Sequence, residues 1–251
     1  MEVLVTGAAG VLGTHVSTIA VGRGHTVRRL SRTERTGEGW VRGDLATGVG
    51  IGGAFEGVDA VIHCASDPRH HKETDVVGTG LLLDAALASG RPHIVYPGIV
   101  GSDVIPRGYY RSKTAVERML EESDCGVTIQ RYTQFHDLLW HRLKTLTRWR
   151  VVPVPKDTRF QVLDAAVAGR CLVEAAEGPP AGRLQDVGGP IIYDVRDLAR
   201  SVATALGRSR RIIRVNIPGL LGAAFRAGGN LTENRDETGA TWNDFVAGRM
   251  R

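Results

Sequence analysis

The sequence predicts an α/β fold, a doubly wound parallel sheet with a small C-terminal substrate-capping region. Three observations carry this expectation. Residues 3–13, Val-Leu-Val-Thr-Gly-Ala-Ala-Gly-Val-Leu-Gly, run from an apolar strand-like stretch through three glycines into a helix-like one. Strand-like and helix-like segments then alternate through the first half of the chain. After Thr133 the alternation loosens, and the C-terminal third reads as a cap on the open end of the sheet. The 251 residues are therefore expected to form one domain, with 1–133 as a dinucleotide-binding core and 134–251 as mixed core and capping part.

Taken in order, Glu2–Thr6 reads as the first strand and Val11–Val21 as its helix. Gly7 permits a sharp turn, Gly10 lets a phosphate approach with no Cβ in the way, and Gly13 lets the helix lie close on the strand. The backbone N–H groups of this turn, with Val11 and Leu12 opening the helix, would meet a pyrophosphate. His25–Leu30 reads as the second strand, Trp40–Arg42 as the third, and Thr47–Gly57 as a poor helix or a loop. Asp59–His63 is the fourth strand, followed by a helix over Lys72–Ala88. His93–Tyr96 is the fifth, Tyr110–Glu122 a helix, and Val127–Tyr132 the sixth strand. Right-handed crossovers give these strands the doubly wound order. Beyond Thr133, helices are expected over Gln134–Trp149, Asp164–Glu177, Val195–Leu206 and Thr241–Arg249, with short strands at Val151–Val154 and Ile212–Val215.

Composition narrows the function classes. Apolar residues make up 42% and charged residues 24%, as in ordinary globular proteins. No run approaches the ~20 apolar residues of a membrane span, so no membrane partner is expected. The strand entered by Val3 leaves no room for a secretory signal. Cys64, Cys125 and Cys171 are scattered and read as thiols in a reducing cytoplasm. The net charge is +5 and only four of the 32 basic residues are lysine. The arginines are spread along the chain with no basic helix interleaved with aromatics, which argues against nucleic acid. A mild positive field suits an anionic cofactor instead. His70-His71 has no third ligand at metal spacing and reads as a solvated loop, so no metal is expected.

The end of the second strand runs Arg28-Arg29-Leu30-Ser31-Arg32-Thr33, with no acid to hold a ribose 2′-hydroxyl. Arg32, beside Ser31 and Thr33, would meet a 2′-phosphate, which favours NADP over NAD. Asp44 is read either as an acceptor for the adenine amino group or as a helix N-cap, with Leu45 packing on the ring. Ala65, after the fourth strand, is small enough for the chain to pass close to the cofactor ribose. Tyr109 and Lys113, four apart at a helix start, share one face. The ammonium favours a phenolate on Tyr109, which suits an acid/base, and Lys113 would also bond the nicotinamide ribose.

With these residues in view, the chain resembles the short-chain dehydrogenase/reductase superfamily. The segments Thr6–Gly13 and Tyr109–Lys113 are similar to its extended and atypical branch. Asp75-Val76-Val77-Gly78-Thr79 resembles that branch's Asn-Val-x-Gly-Thr segment, with Asp75 in place of Asn. Gln130–His136 is similar to the NmrA-like, NAD(P)H-binding group. The resemblance covers residues 1–140 well and implies a Rossmann-type fold, bound NADP(H), substrate contacts from the C-terminal third and a possible homodimer. It also implies a Ser or Thr just after the fifth strand, where this chain has Gly98. The substrate oxygen would then be held from elsewhere, with Tyr110, Thr133 and His136 as replacements and Trp140 lining an apolar pocket.

The expectation is an NADP(H)-dependent oxidoreductase acting on a small organic carbonyl, quinone or conjugated alkene, conceivably in secondary metabolism, with Tyr109, Lys113 and His136 as catalytic residues. Two alternatives accompany it: a non-catalytic NADP-binding sensor, and a non-redox enzyme (dehydratase, epimerase or cyclase) on the same fold.

Overall fold

The computed structural model describes residues 1–250. Its strands are β1 (Glu2–Thr6), β2 (Thr26–Ser31), β3 (Trp40–Arg42), β4 (Ala60–His63), β5 (His93–Ile99), β6 (Val127–Tyr132), β7 (Val151–Pro155), β8 (Arg159–Gln161), β9 (Gly182–Arg183), β10 (Ile192–Asp194) and β11 (Arg211–Val215). Its α-helices are α1 (Val11–Gly22), α2 (Gly78–Ala88), α3 (Gly108–Glu121), α4 (His136–Leu146), α5 (Ala165–Glu177), α6 (Val195–Ala205), α7 (Gly219–Arg226) and α8 (Trp242–Gly248).

Seven strands form a parallel sheet in the order β3-β2-β1-β4-β5-β6-β9. The run from β3 to β6 is the doubly wound, Rossmann-type order, which reverses direction between β1 and β4 and opens a crevice beyond their carboxyl ends. Thr6 and His63 pair in register at that end. Every residue of β4 is buried, as a central parallel strand covered on both faces requires.

The chain divides into two compact units. The first comprises residues 1–98, 108–131 and 168–185. Its core joins Leu4, Val61, Ile94 and Ile129 of the sheet with Leu82 of α2 and Leu120 of α3. The second comprises 99–107, 132–167 and the chain from Asp186 onward. It holds two small sheets, β10 antiparallel to β8 and β11 parallel to β7. Its core packs Trp140 and Leu143 of α4 against Leu198 and Val202 of α6 and Trp242 of α8. Among the described residues no helix is long and apolar enough to cross a membrane.

The largest departure from the expected elements is in Lys72–Ala88. Residues 72–77 form a widened π-helical turn, and only Gly78–Ala88 is α-helical. The Asp75 side chain turns inward and the Thr79 hydroxyl donates to the Asp75 carbonyl, interruptions that commonly accompany such a turn. Thr47–Gly57 is a loop with a single 3-10 turn at Gly52–Phe55. The strands β8, β9 and β10, of two or three residues each, are too short to leave a periodic pattern. Helix α8 starts at a capping box, with Thr241 and Asp244 bonding each other's backbone N–H.

Candidate functional site

The glycine turn is built by close approach. Gly7 has φ +62°, and a Cβ there would lie 2.7 Å from the backbone of Ala65. A Cβ on Gly13 would lie 2.3 Å from the Gly7 carbonyl oxygen. Helix α1 begins at Gly10 with no capping side chain and no acid in its first turn, and Gly10 and Val11 are exposed. The first-turn N–H groups, near the positive end of the helix dipole, are thus left for an anion. Leu12 is half-buried. These features fit a dinucleotide pyrophosphate.

A groove of about 400 Å³ runs past this turn, lined by Gly7, Gly10, Arg32, Asp44, Leu45, Ala65 and Ser66 among others, a size ordinary for ligand sites. It brings together six of the predicted cofactor residues. Arg32 is exposed at its rim. Beside it the Ser31 hydroxyl donates to the Thr33 carbonyl at 2.8 Å and accepts from Arg35 Nε at 3.2 Å. Asp44 caps no helix: its carboxylate accepts the Ala46 N–H at 3.0 Å and its carbonyl accepts from Thr47 and Gly48, closing a tight turn. Leu45 is part of the core of the first unit and also lines the groove.

A polar network, buried at Asp75 and Lys113 and open at Ser66, adjoins the groove. Ser66 Oγ lies 2.9 Å from Tyr109 Oη and donates to Asp75 Oδ1 at 2.7 Å. The same carboxylate pairs with Lys113 Nζ at 3.2 Å and accepts the Asp67 N–H at 3.1 Å. Lys113 Nζ also lies 4.9 Å from the Tyr96 ring centre and 5.7 Å from that of Tyr109, positions for cation–π attraction. Burial by itself pulls the Lys113 ammonium down, but the negative charge available on Tyr109, Tyr96 and Asp75 outweighs it and holds Lys113 well above its ordinary range. Burial pushes the Tyr96 phenol up, partly opposed by Lys113. Tyr109 and Lys113 do share one face, as their spacing predicts.

His63, at the end of β4, is enclosed. Its Nδ1 is 2.7 Å from Thr6 Oγ1 and its Nε2 is 3.1 Å from Thr79 Oγ1. The Thr79 proton is already given to the Asp75 carbonyl, so Nε2 carries the ring proton and Thr6 donates to Nδ1. Burial, then the charge of Lys113, lowers this histidine from 6.5 to about 3. Burial likewise pushes the neighbouring Cys64 thiol up to about 12, which makes it a poor nucleophile.

Several predicted residues stand elsewhere. A Cβ on Gly98 would lie 2.4 Å from Glu117 Oε1 and 2.8 Å from Arg131 Cγ. That space is filled by a buried ion pair, Arg131 Nη2 to Glu117 Oε2 at 2.6 Å, so Gly98 makes room for the pair and a side chain there would displace it. His136, expected in the pocket, is 1% exposed. Its ring lies 5.1 Å from Phe245 and 5.9 Å from Trp242 within the second unit, and burial lowers it against the pull of Asp164, Asp137 and Asp244. Trp140 is buried in the same aromatic cluster, and Thr133 is buried with its hydroxyl accepting the Gly189 N–H. All three, His136 expected as a catalytic residue and Thr133 and Trp140 expected at the substrate, pack the second unit's interior. Tyr110 is buried in the first unit with its ring edge-on to Tyr109 at 6.3 Å.

Sequence reading missed Ser66, the pairing of Asp75, and His71. His71 is not in a solvated loop: Nδ1 bonds Ser112 Oγ at 2.7 Å and the ring stands edge-on to Tyr109 at 6.1 Å. One signal was available. An acid on the inward side of an otherwise apolar helical run needs a buried cation, and the first half of the chain offers only Lys72 and Lys113 as lysines.

The chain is similar to several known proteins. An NADPH-dependent quinone oxidoreductase from Escherichia coli, solved with NADPH, superposes with a TM-score of 0.80 over 99% of this chain and all of its own, at 16% identity. A nucleoside-diphosphate-sugar epimerase from Staphylococcus aureus superposes with a TM-score of 0.78 over 98% of this chain and 99% of its own, at 20% identity. A 2-alkyl-3-oxoalkanoate reductase of Stenotrophomonas maltophilia is 31% identical over 159 residues, 51% of this chain and 48% of the relative. The chain thus spans about half the length of that relative. The sequence model of NAD(P)H-binding proteins matches residues 7–176, the span that holds the glycine turn, the groove and the Tyr109–Lys113 pair. The chain belongs to this family of NAD(P)H-binding proteins.

Proposed function

We propose that this protein is an NADP(H)-dependent oxidoreductase acting on a small organic carbonyl, quinone or conjugated alkene. The observation that carries the reading is the continuity between groove and phenol: Ser66 lines the groove and its hydroxyl meets Tyr109 Oη at 2.9 Å. The glycine turn would hold the pyrophosphate, and Leu45 and Asp44 the adenosine end. Arg32, with Ser31, would take a 2′-phosphate, and no acid stands there to favour NAD. The bound cofactor supplies or accepts a hydride. Tyr109 gives or takes the proton at the substrate oxygen, and Lys113 anchors the ribose. The quinone oxidoreductase and oxoalkanoate reductase similarities agree with a reductase reading.

The test is NADPH oxidation followed by its absorbance, with a panel of quinones, aldehydes and enones. Turnover with at least one acceptor is expected. A positioned acid/base contributes about 10²–10⁴ in rate, so Tyr109→Phe is expected to lose that much while binding NADPH normally. Arg32→Ala is expected to weaken NADPH about tenfold, one charge-assisted contact's worth, and to leave NADH unchanged. A second reading, a non-catalytic NADPH sensor, draws on Gly98, which denies the site a hydroxyl from β5. NADPH binding with no turnover on any acceptor, and Tyr109→Phe indistinguishable from the parent, would favour it.

A further inference from the structure

The hydroxyl that β5 lacks at Gly98 has a counterpart after β4. Ser66 has one proton, and it goes to Asp75 Oδ1 at 2.7 Å. In the 2.9 Å contact between the two hydroxyls, Tyr109 is therefore the donor and Ser66 the acceptor. The carboxylate that fixes Ser66 also neutralises Lys113, and it is buried, 1% exposed, with its second oxygen held by the Asp67 N–H. An Asn at this position, as the resemblance implies, would leave the Lys113 charge unopposed beside the phenol. Aspartate cancels it.

We propose that Asp75 and Ser66 are positioning residues that keep the proton on Tyr109 and present it for donation, setting this site for reduction rather than oxidation of its substrate. The inference rests on the reading of Tyr109 as the acid/base. In the step it describes, the substrate oxygen replaces Ser66 as acceptor, the Tyr109 O–H bond breaks and a substrate O–H bond forms. The electron pair arrives on the substrate as hydride from the reduced nicotinamide. The charge left on the phenol oxygen faces Lys113. The groups facing Tyr109 and its ammonium partner are Tyr110 from α3, Tyr96 from β5, His63 of β4 and Cys64 beside it, Asp75 from the widened turn, and His71 at the start of that turn.

The test reads the phenol itself. Tyrosinate ultraviolet absorbance is titrated in the cofactor-free protein, and the Tyr109 contribution is isolated by difference from Tyr109→Phe. Asp75→Asn is expected to move that contribution to lower pH, raising the phenolate fraction at a given pH about tenfold, as removal of one nearby charge does. Ser66→Ala is expected to move it the same way by less, and Ser66→Thr to restore it. The upper limb of the reduction pH profile should fall by the same displacement. A titration unchanged, or moved upward, in both variants overturns the inference. If Asp75→Asn fails to fold by circular dichroism, Ser66→Ala, at an exposed position, decides alone. Absence of NADPH turnover in the parent would defeat the functional reading and leave the titration result standing, so the two failures are distinguishable.

Discussion

Lys113 and Glu117 stand one turn apart on α3, both almost fully buried, and each meets an opposite charge. Their surroundings differ. The Lys113 pair continues outward through Ser66 and the Tyr109 hydroxyl to the groove. The Glu117 pair closes on itself: Arg131 grips the carboxylate from one side, Arg183 reaches it at 3.1 Å from another, and Gly98 leaves the space that Glu117 and Arg131 need. Buried charge is thus a feature of the helix, and only the turn connected by hydroxyls to the groove becomes a candidate for chemistry. The other turn ties α3 to β6 and β9.

The largest way to break this contrast is Glu117→Ala. Removing one partner of a buried pair typically costs about 3–5 kcal/mol, so urea unfolding should show a loss of that order. NADPH affinity of the remaining folded protein should stay the same. A change in affinity without a change in stability would move Glu117 into the site.

Acid unfolding sharpens the Lys113 side. His63 is held near 3 in the folded protein against 6.5 when unfolded. The unfolded chain therefore binds more protons between those values. The His63 contribution is complete above pH 6.5 and is lost as pH falls toward 3. The melting temperature should decline through that window, and less steeply in a folded His63→Gln variant.

Gly98→Ser tests whether a hydroxyl from β5 fits. Overpacking a filled site costs about 1–3 kcal/mol, so a lower melting temperature with no gain in turnover is expected. A rise in turnover would show that the Glu117 pair yields. The smallest effect belongs to Arg183→Ala. Its side chain is 38% exposed, and pairs screened by water contribute less than about 1 kcal/mol, so thermal unfolding should barely move.

Legibility in the sequence followed the distance over which each feature is decided. The glycine turn, the first six strands and the Tyr109–Lys113 face obey local rules, and each is where the residues predict it. Asp75 was visible as a departure from the family pattern, but its partner Lys113 lies beyond a helix and one further strand and could not be read from spacing. The meaning of Gly98 depends on Glu117, Arg131 and Arg183, which only the folded sheet brings together. His136 and Trp140 lie just beyond β6, where pocket residues are expected, yet the aromatic residues that enclose them come from α8, near the far end of the chain. The short strands β8 to β10 carry no pattern long enough to detect.

The return of residues 168–185 to the first unit has a consequence for synthesis. Gly169 lies against α1, where a Cβ would come within 3.1 Å of the His15 side chain. Further along, Glu174 and Glu177 bind Arg23 and His25, and β9 adds the last strand beside β6. A nascent chain that has left the ribosome only as far as Thr133 holds every strand from β1 to β6 but none of this cladding. Its outer face on α1 and its last strand edge stay open to chaperones and to other unfinished chains until residues 168–185 emerge. A polypeptide trimmed at that apparent boundary would stay in the same unfinished state.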